Sequence, residues 1–332
     1  MSGVEQRQVS QDEAGMRLDR WFREHYPGLA FGALNKLLRK GSIRIDGGRA
    51  KSNSRLAAGQ LIRVPPLGAD AMVERPSNSI APQQTDTLSE LKRLTLFEDD
   101  ACLILNKPFG LAVQGGSGLN RHVDGMLEAL RDRLGRKPRL VHRLDRDTSG
   151  VLAIAKTKAA ATAMAASFRG RATRKIYWAL VRGVPKPRQG RISNHLVKGS
   201  GDDGNDRMRI ARHGEAGADH ALTLYNVIET AGQRLTWLSL RPITGRTHQL
   251  RAHCNHIGHP IIGDPKYFDV ENWEIPGGIQ KRLHLHARRL VIPHPKGGLL
   301  DVTAPLPPHM QQSWNLLGLS ADDNGQDDDW DS

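Results

Sequence analysis

Apolar and polar positions divide the chain into a short leading unit, a polar stretch and a longer body. In GMRLDRWFREHY, Leu18, Trp21 and Phe22 recur at helical spacing on one face, while Arg17, Arg20 and Arg23 lie toward the other. FGALNKLLRKG repeats the scheme, with Leu34, Leu37 and Leu38 apolar, Lys36, Arg39 and Lys40 basic, and Gly41 as the helix stop. A strand is predicted over 43–45, Asp46-Gly47-Gly48 supplies turn residues, and 60–64 reads as a second strand that Pro65-Pro66 ends. The leading unit thus spans about 9–66. Residues 67–93, rich in Pro, Ser, Gln and Asp without a sustained apolar period, read as a linker.

The body, about 94–318, alternates strand-like and helix-like stretches. LTLFEDD and CLILNKP predict two strands joined at Glu98-Asp99-Asp100, then a glycine-rich loop, FGLAVQGGSG, and a helix over 121–134. Runs rich in β-branched and aromatic residues predict strands at 151–156, 175–181, 221–229 and 234–242, with helices at 158–168 and 247–257. Strands that follow one another through short turns predict an α+β fold with a mixed, mainly antiparallel sheet, and a small α/β unit in front. With Thr247 as its cap, the last helix carries Leu250, Cys254 and Ile257 on one face and His248, Arg251 and Asn255 on another.

Composition adds a partner class. Forty-eight Lys+Arg against 35 Asp+Glu give +13 and a pI near 10.1, the balance expected of a protein that meets a polyanion. Six aspartates crowd into ADDNGQDDDWDS, so the remainder carries +19 and 319–332 is expected to be a disordered acidic tail. No apolar run approaches the roughly 20 residues of a membrane span, and no targeting peptide is evident, so a cytoplasmic location is expected. Cys102 and Cys254 sit in apolar segments and read as buried thiols.

LVHRLDRDTSGVLAIAK carries the sharpest chemistry, because Asp145 lies between Arg143 and Arg146 just ahead of a buried strand. Neighbouring positive charge favours the ionised carboxylate, a competent nucleophile, and Asp147-Thr148-Ser149-Gly150 would tie the turn presenting it. A salt-bridged turn explains the same run equally well. His248, His253, His256 and His259 with Cys254 invite a zinc reading, but they lack a Cys-x-x-Cys or His-Glu-x-x-His arrangement. GGSG lacks the Gly-Lys-Ser/Thr ending of a nucleotide-phosphate loop, so neither a metal nor a cofactor is expected.

Two resemblances sharpen this. RLDRWF, LNKLLRKGSIRIDG and GQLIRV resemble, in order, the S4-like RNA-binding module, which implies that Arg17, Arg20, Lys36, Arg39 and Lys40 bind RNA. HRLDRDTSG at 142–150 resembles the catalytic motif of the RluA family of pseudouridine synthases. NKPFGLAVQGGSG, RKIYWALVRG, RPITGRTHQLRAH, HPIIGDPKY and LHLHARRL extend the likeness over nearly the whole chain. It implies a pseudouridine synthase fold and an isomerase of uridines in structured RNA, closest to the branch acting on large-subunit ribosomal RNA. Asp145 would be the catalytic carboxylate, paired with Arg246, and Tyr177 would stack on the uracil and could take the proton from ring carbon 5. Arg143 would take the space of the flipped-out uridine and Leu250 would pack on the base. Lys107 and His142 join them as substrate-binding residues. No cofactor is required, and nothing demands more than a monomer. A non-catalytic RNA-binding factor and a hydrolase using Asp145 with Asp147 remain the competing classes.

Overall fold

The computed structural model describes residues 4–26, 28–67, 80–116, 121–133, 135–170, 172–199, 207–268 and 273–321. The acidic tail from 322 onward, most of the 199–208 loop and the Ser117-Gly118 end of the glycine-rich loop lie outside these residues. The chain divides into two compact units, 1–82 and 83–332.

The first unit contains β1 (Glu5–Gln8), α1 (Leu18–His25), α2 (Phe31–Arg39), β2 (Arg44–Ile45), β3 (Gly48–Arg49) and β4 (Leu61–Val64). Its sheet runs β1-β4-β2-β3 with antiparallel pairing throughout. The hairpin forms because Asp46 and Gly47 both take left-handed φ values, 48° and 77°, as a tight two-residue turn requires. Leu18, Trp21 and Phe22 of α1 meet Leu34 and Leu38 of α2 in one buried cluster with Ile43, Leu56 and Ile62. The sequence pattern starts this unit at about 9 and so misses β1. EQRQ has no apolar residue, and pairing with β4 makes it a strand.

α3 (Ile80–Leu94), most of which belongs to the second unit, stands where the polar composition predicts a linker. Leu91 explains the difference, since it is buried among Leu103, Leu105 and Leu127 and anchors a helix whose other side chains are mostly polar. There follow β5 (Thr95–Glu98), β6 (Cys102–Lys107), α4 (Val123–Met126), β7 (Arg139–Leu140), β8 (Ser149–Ala155), α5 (Lys158–Arg169) and β9 (Arg174–Arg182). Then come β10 (Gln189–Gly199), β11 (Arg207–Ile210), β12 (Asp219–Ala231), β13 (Leu235–Pro242), α6 (Gln249–His256), β14 (Leu285–Pro293), β15 (Leu299–Thr303) and α7 (Pro308–Leu317). The predicted helix over 121–134 is shorter, ending in a single 3-10 turn at Leu130.

Eleven strands among the described residues form one sheet, with the main path β11-β10-β12-β13-β9-β14-β8-β6-β5 and with β15 and β7 paired to β14 and β8. Pairing is antiparallel except where β14 and β8 meet in parallel, His286 opposite Ser149 and Ala287 opposite Gly150. The α+β expectation therefore holds, mixed sheet included. The central strands β8 and β13 are buried on both faces because helices cover both, α5 and α3 around β8, and α6 and α7 around β13. Trp178, Trp237 and Trp314 stack edge to face in succession, at 4.5 and 5.4 Å, beneath α7.

The parallel join fixes where the loop at 142–148 enters the sheet. Gly150 sits there at φ 109°, and a Cβ would lie 2.2 Å from the carbonyl oxygen of Ala287. Gly150→Ala should therefore cost about 3 kcal/mol or more, read as a lowered urea unfolding midpoint.

Three core histidines are held neutral. Burial pushes His286 down to about 3 and His253 and His284 down to about 4, from an ordinary 6.5. The unfolded chain takes up these protons near pH 6.5 and the folded chain does not until pH 3–4. Stability should hold above pH 6.5 and then fall as pH drops, by roughly 1.4 kcal/mol per histidine per pH unit. Urea titrations between pH 7.5 and 5, above the range of the carboxylates, measure it.

Candidate active site

A cleft of about 310 Å³ opens where the 142–148 loop, β9 and the start of α6 converge. Asp145, Tyr177, Arg143, Leu250, His142 and Arg246 all line it. Asp145 is partly exposed, and its backbone oxygen accepts from the Thr148 N–H at 3.2 Å, closing the turn into β8. Its Oδ2 lies 3.7 Å from Nη1 of Arg251 and 3.8 Å from Nε2 of His248.

The arginine facing Asp145 is thus Arg251, and the expected Arg246 pairing is corrected. Arg246 lies in the turn before α6 and reaches the start of β12, where it pairs with Asp219 at 3.2 Å and donates from Nε to the His220 carbonyl. Arg251 instead projects inward from the first turn of α6 and is almost wholly buried. Asp264 grips it by a fork, Nε to Oδ2 at 2.7 Å and Nη2 to Oδ1 at 2.6 Å, which leaves Nη1 toward Asp145. Asp264 has no exposed side-chain surface, and its Oδ1 also accepts the N–H groups of Lys266 and Tyr267. Gly263, at φ 71°, lets this segment press against the backbone of Arg282, where a Cβ would come within 2.0 Å of the carbonyl oxygen.

The α6 cap is also corrected, because His248 and not Thr247 holds the N-cap position, in the left-handed conformation at φ 50°. The Tyr267 hydroxyl accepts the Met208 N–H at 2.7 Å and lies 3.2 Å from Nδ1 of His248. The other ring nitrogen, Nε2, is the one turned to Asp145. Leu250 and Cys254 are buried with Tyr225 and Leu285 and with Tyr177 at their edge, so the predicted apolar face of the helix is core and also cleft wall. Cys254 is a buried free thiol. Of the other histidines of this region, His253 bonds Thr223 and Asn194 and His259 bonds the Arg182 carbonyl, while His256 is exposed.

Tyr177 touches the clusters on both sides of the cleft. Burial first, and then the charge of Asp145, push its phenol well above the ordinary range. A neutral ring serves as a stacking surface; the phenolate that a strong base would need is disfavoured.

Lys107 occupies another role than the direct contact expected of it. Lys107 is completely buried and lies outside the cleft lining, its Nζ donating to the carbonyls of Pro108, Leu111 and Arg146 at 2.7–2.9 Å. It ties the residue after Asp145 to the 108–111 loop, and burial pushes it down to about 7 despite Asp147 and Asp145. His142 does line the cleft, but its Nε2 accepts the Ala153 N–H at 2.8 Å and its ring stacks on Phe168 at 4.3 Å. Asp147, the second acid of a hydrolase reading, is taken by its neighbour Arg146 at 3.1 Å. In the first unit, Arg17 and Arg20 pair with Asp19 and Glu24, whereas Lys36, Arg39 and Lys40 are exposed and make no ion pair among the described residues.

A family model described as RNA pseudouridylate synthase matches residues 101–256. Ribosomal large subunit pseudouridine synthase C of Pasteurella multocida is 36% identical over 93% of this chain and 92% of its own length. The protein of the same description from Yersinia pestis is 38% identical over 90% and 91%. Among solved structures, human RNA pseudouridylate synthase domain containing 4 superposes with a TM-score of 0.60 at 30% identity, covering 72% of this chain and 98% of its own.

Asp264→Ala would leave the Arg251 guanidinium buried without its counter-charge. The expected loss is about 3–5 kcal/mol of stability, measured by chemical unfolding, whereas Asp219→Ala, at an exposed pair, should change it by less than about 1 kcal/mol.

Proposed function

Because the chain belongs to the RNA pseudouridylate synthase family, we propose that it converts selected uridines of large-subunit ribosomal RNA to pseudouridine in the cytoplasm, with Asp145 as the catalytic carboxylate. The enzyme class, an RNA isomerase, follows from the family. The substrate follows from the descriptions its relatives carry over more than nine-tenths of their length. The observation supporting the site is the one acidic side chain of the cleft wall, which stands between a buried, forked arginine and a neutral aromatic ring.

Isomerisation breaks the bond between ring nitrogen 1 and the sugar, turns the base and rejoins it through carbon 5. The uridine must leave its stack, at a cost of a few kcal/mol that contacts in the cleft offset. Tyr177 and Leu250 present flat and apolar surface to the uracil, which retains it while it is detached. Arg143, exposed at the rim, is suited to fill the vacated place in the RNA. Asp145 supplies the negative charge that attacks the ring or sugar or assists departure of the base, with Arg251 Nη1 and His248 Nε2 at 3.7 and 3.8 Å from its Oδ2. Tyr177 acts by stacking in this scheme. Carbon 5 gives up a proton and ring nitrogen 1 gains one, so the isomer forms with no net change in atoms.

The first unit acts as an S4-like RNA holder, with Lys36, Arg39 and Lys40 presenting charge that no acid of the described residues neutralises. The protein works as a monomer on this reading.

Asp145→Asn keeps shape and removes the charge. Incubation with ribosomal RNA followed by carbodiimide-stop sequencing should map pseudouridine with the wild type and a loss of more than about 10⁴-fold in rate with the variant. Release of free uracil would sink the proposal in favour of a hydrolase, and tight binding without conversion by the wild type would leave only an RNA-binding factor.

A further inference from the structure

The cleft contains a lysine that this chemistry does not use. Lys175 precedes Tyr177 by two residues on β9, so both side chains leave the same face of the strand, and both line the cleft. Lys175 is partly buried, and its ammonium makes no hydrogen bond or ion pair among the described residues. Burial alone pushes it below the ordinary lysine value, with no carboxylate close enough to oppose the shift. Lys107 shows what a satisfied buried lysine looks like here, with three carbonyls around its Nζ.

Beside Lys175 stands His142. Because its Nε2 accepts from Ala153, the neutral ring carries its proton on Nδ1, and that N–H has no acceptor among the described residues. Burial and the nearby Lys175 push the imidazole down to about 3, so it remains a neutral donor. Phe168, stacked on the ring with the planes at 24°, holds it in place. Two donors, one of them charged, thus share a corner of the cleft that provides neither with a partner. A half-buried cation without an anion is unfavourable, and a phosphate oxygen supplies the counter-charge as well as the acceptor.

We propose that Lys175 and the Nδ1–H of His142 form a phosphate subsite that takes a phosphodiester oxygen next to the everted uridine. The phosphates are the only anions RNA carries, and a single charged contact of this kind fixes the register of the strand over Asp145 without reading sequence. The inference rests on the reading of this cleft as the uridine site.

Lys175→Met removes the unpaired charge and keeps the length. The free variant should melt at the same temperature as the wild type or a few degrees above it, because an uncompensated cation has gone. Its affinity for ribosomal RNA should fall about tenfold or more, and the slope of log Kd against log[KCl] should shrink by about 0.7–0.9, one phosphate contact. The loss should fall on KM rather than kcat, and Lys175→Arg should restore the slope. RNA carrying one neutral methylphosphonate at successive positions around the target should show one linkage that weakens the wild type about tenfold and leaves Lys175→Met unaffected. Unchanged affinity and salt slope in Lys175→Met, or a scan on the wild-type enzyme in which no linkage near the target matters, would overturn the subsite. Asp145→Asn separates the two readings: it should bind with the full salt slope and convert nothing. Conversion by that variant would remove the catalytic reading, and the binding data would still decide the phosphate contact.

Discussion

The fork between Arg251 and Asp264 is the interaction on which the site's geometry depends. A guanidinium has five donors in a rigid plane, and burying it is tolerable only when an anion and hydrogen-bond acceptors surround it. Asp264 supplies both and is itself tied by two backbone N–H groups of its own loop. The fork uses one edge of the guanidinium and leaves the other toward Asp145. A mobile arginine would place its charge over many positions, whereas this one places it at a single point. His248, held in a left-handed backbone conformation by the turn into α6 and hydrogen-bonded with Tyr267, fixes a second polar group on the same side.

The sheet does the complementary task of delivering Asp145 to that point. Where β8 and β14 run in parallel, backbone approaches backbone at Gly150 with no room for a side chain, so the turn that begins at Asp145 ends against a rigid seam. Lys107 braces the same turn from beneath by taking the Arg146 carbonyl, and buried His286 bonds the Ser149 hydroxyl on the following residue. Polar groups with all their partners inside the protein therefore flank the loop that carries Asp145, and each would be costly to leave unmade. The cleft on the other side of the loop is different, because Lys175, Arg143 and the Nδ1–H of His142 line it without a protein hydrogen-bond partner among the described residues.

Local patterns made much of the architecture readable. The helical spacing of Leu18, Trp21 and Phe22 and the β-branched runs of β8, β9, β12 and β13 each state a period that burial on one or two faces then enforces. β1 and α3 were not readable in this way. The first is polar and becomes a strand through its partner, and the second depends chiefly on Leu91 entering a core built by residues that follow it.

By itself the sequence determined the order of motifs, the candidate carboxylate and the aromatic and leucine that accompany it in the cleft, because these reside in short continuous segments with strong local preferences. Tertiary structure alone decided which arginine meets Asp145 and what Lys107 does. Arg246 and Arg251 are five residues apart in one motif, and either could be the partner on paper. The choice falls to Arg251 because Asp264, thirteen residues further on, is folded back to grip it, while Asp219, from a strand edge, takes Arg246. Charges pair with whatever the fold brings within reach, and side-chain reach in three dimensions is not a property of spacing along the chain.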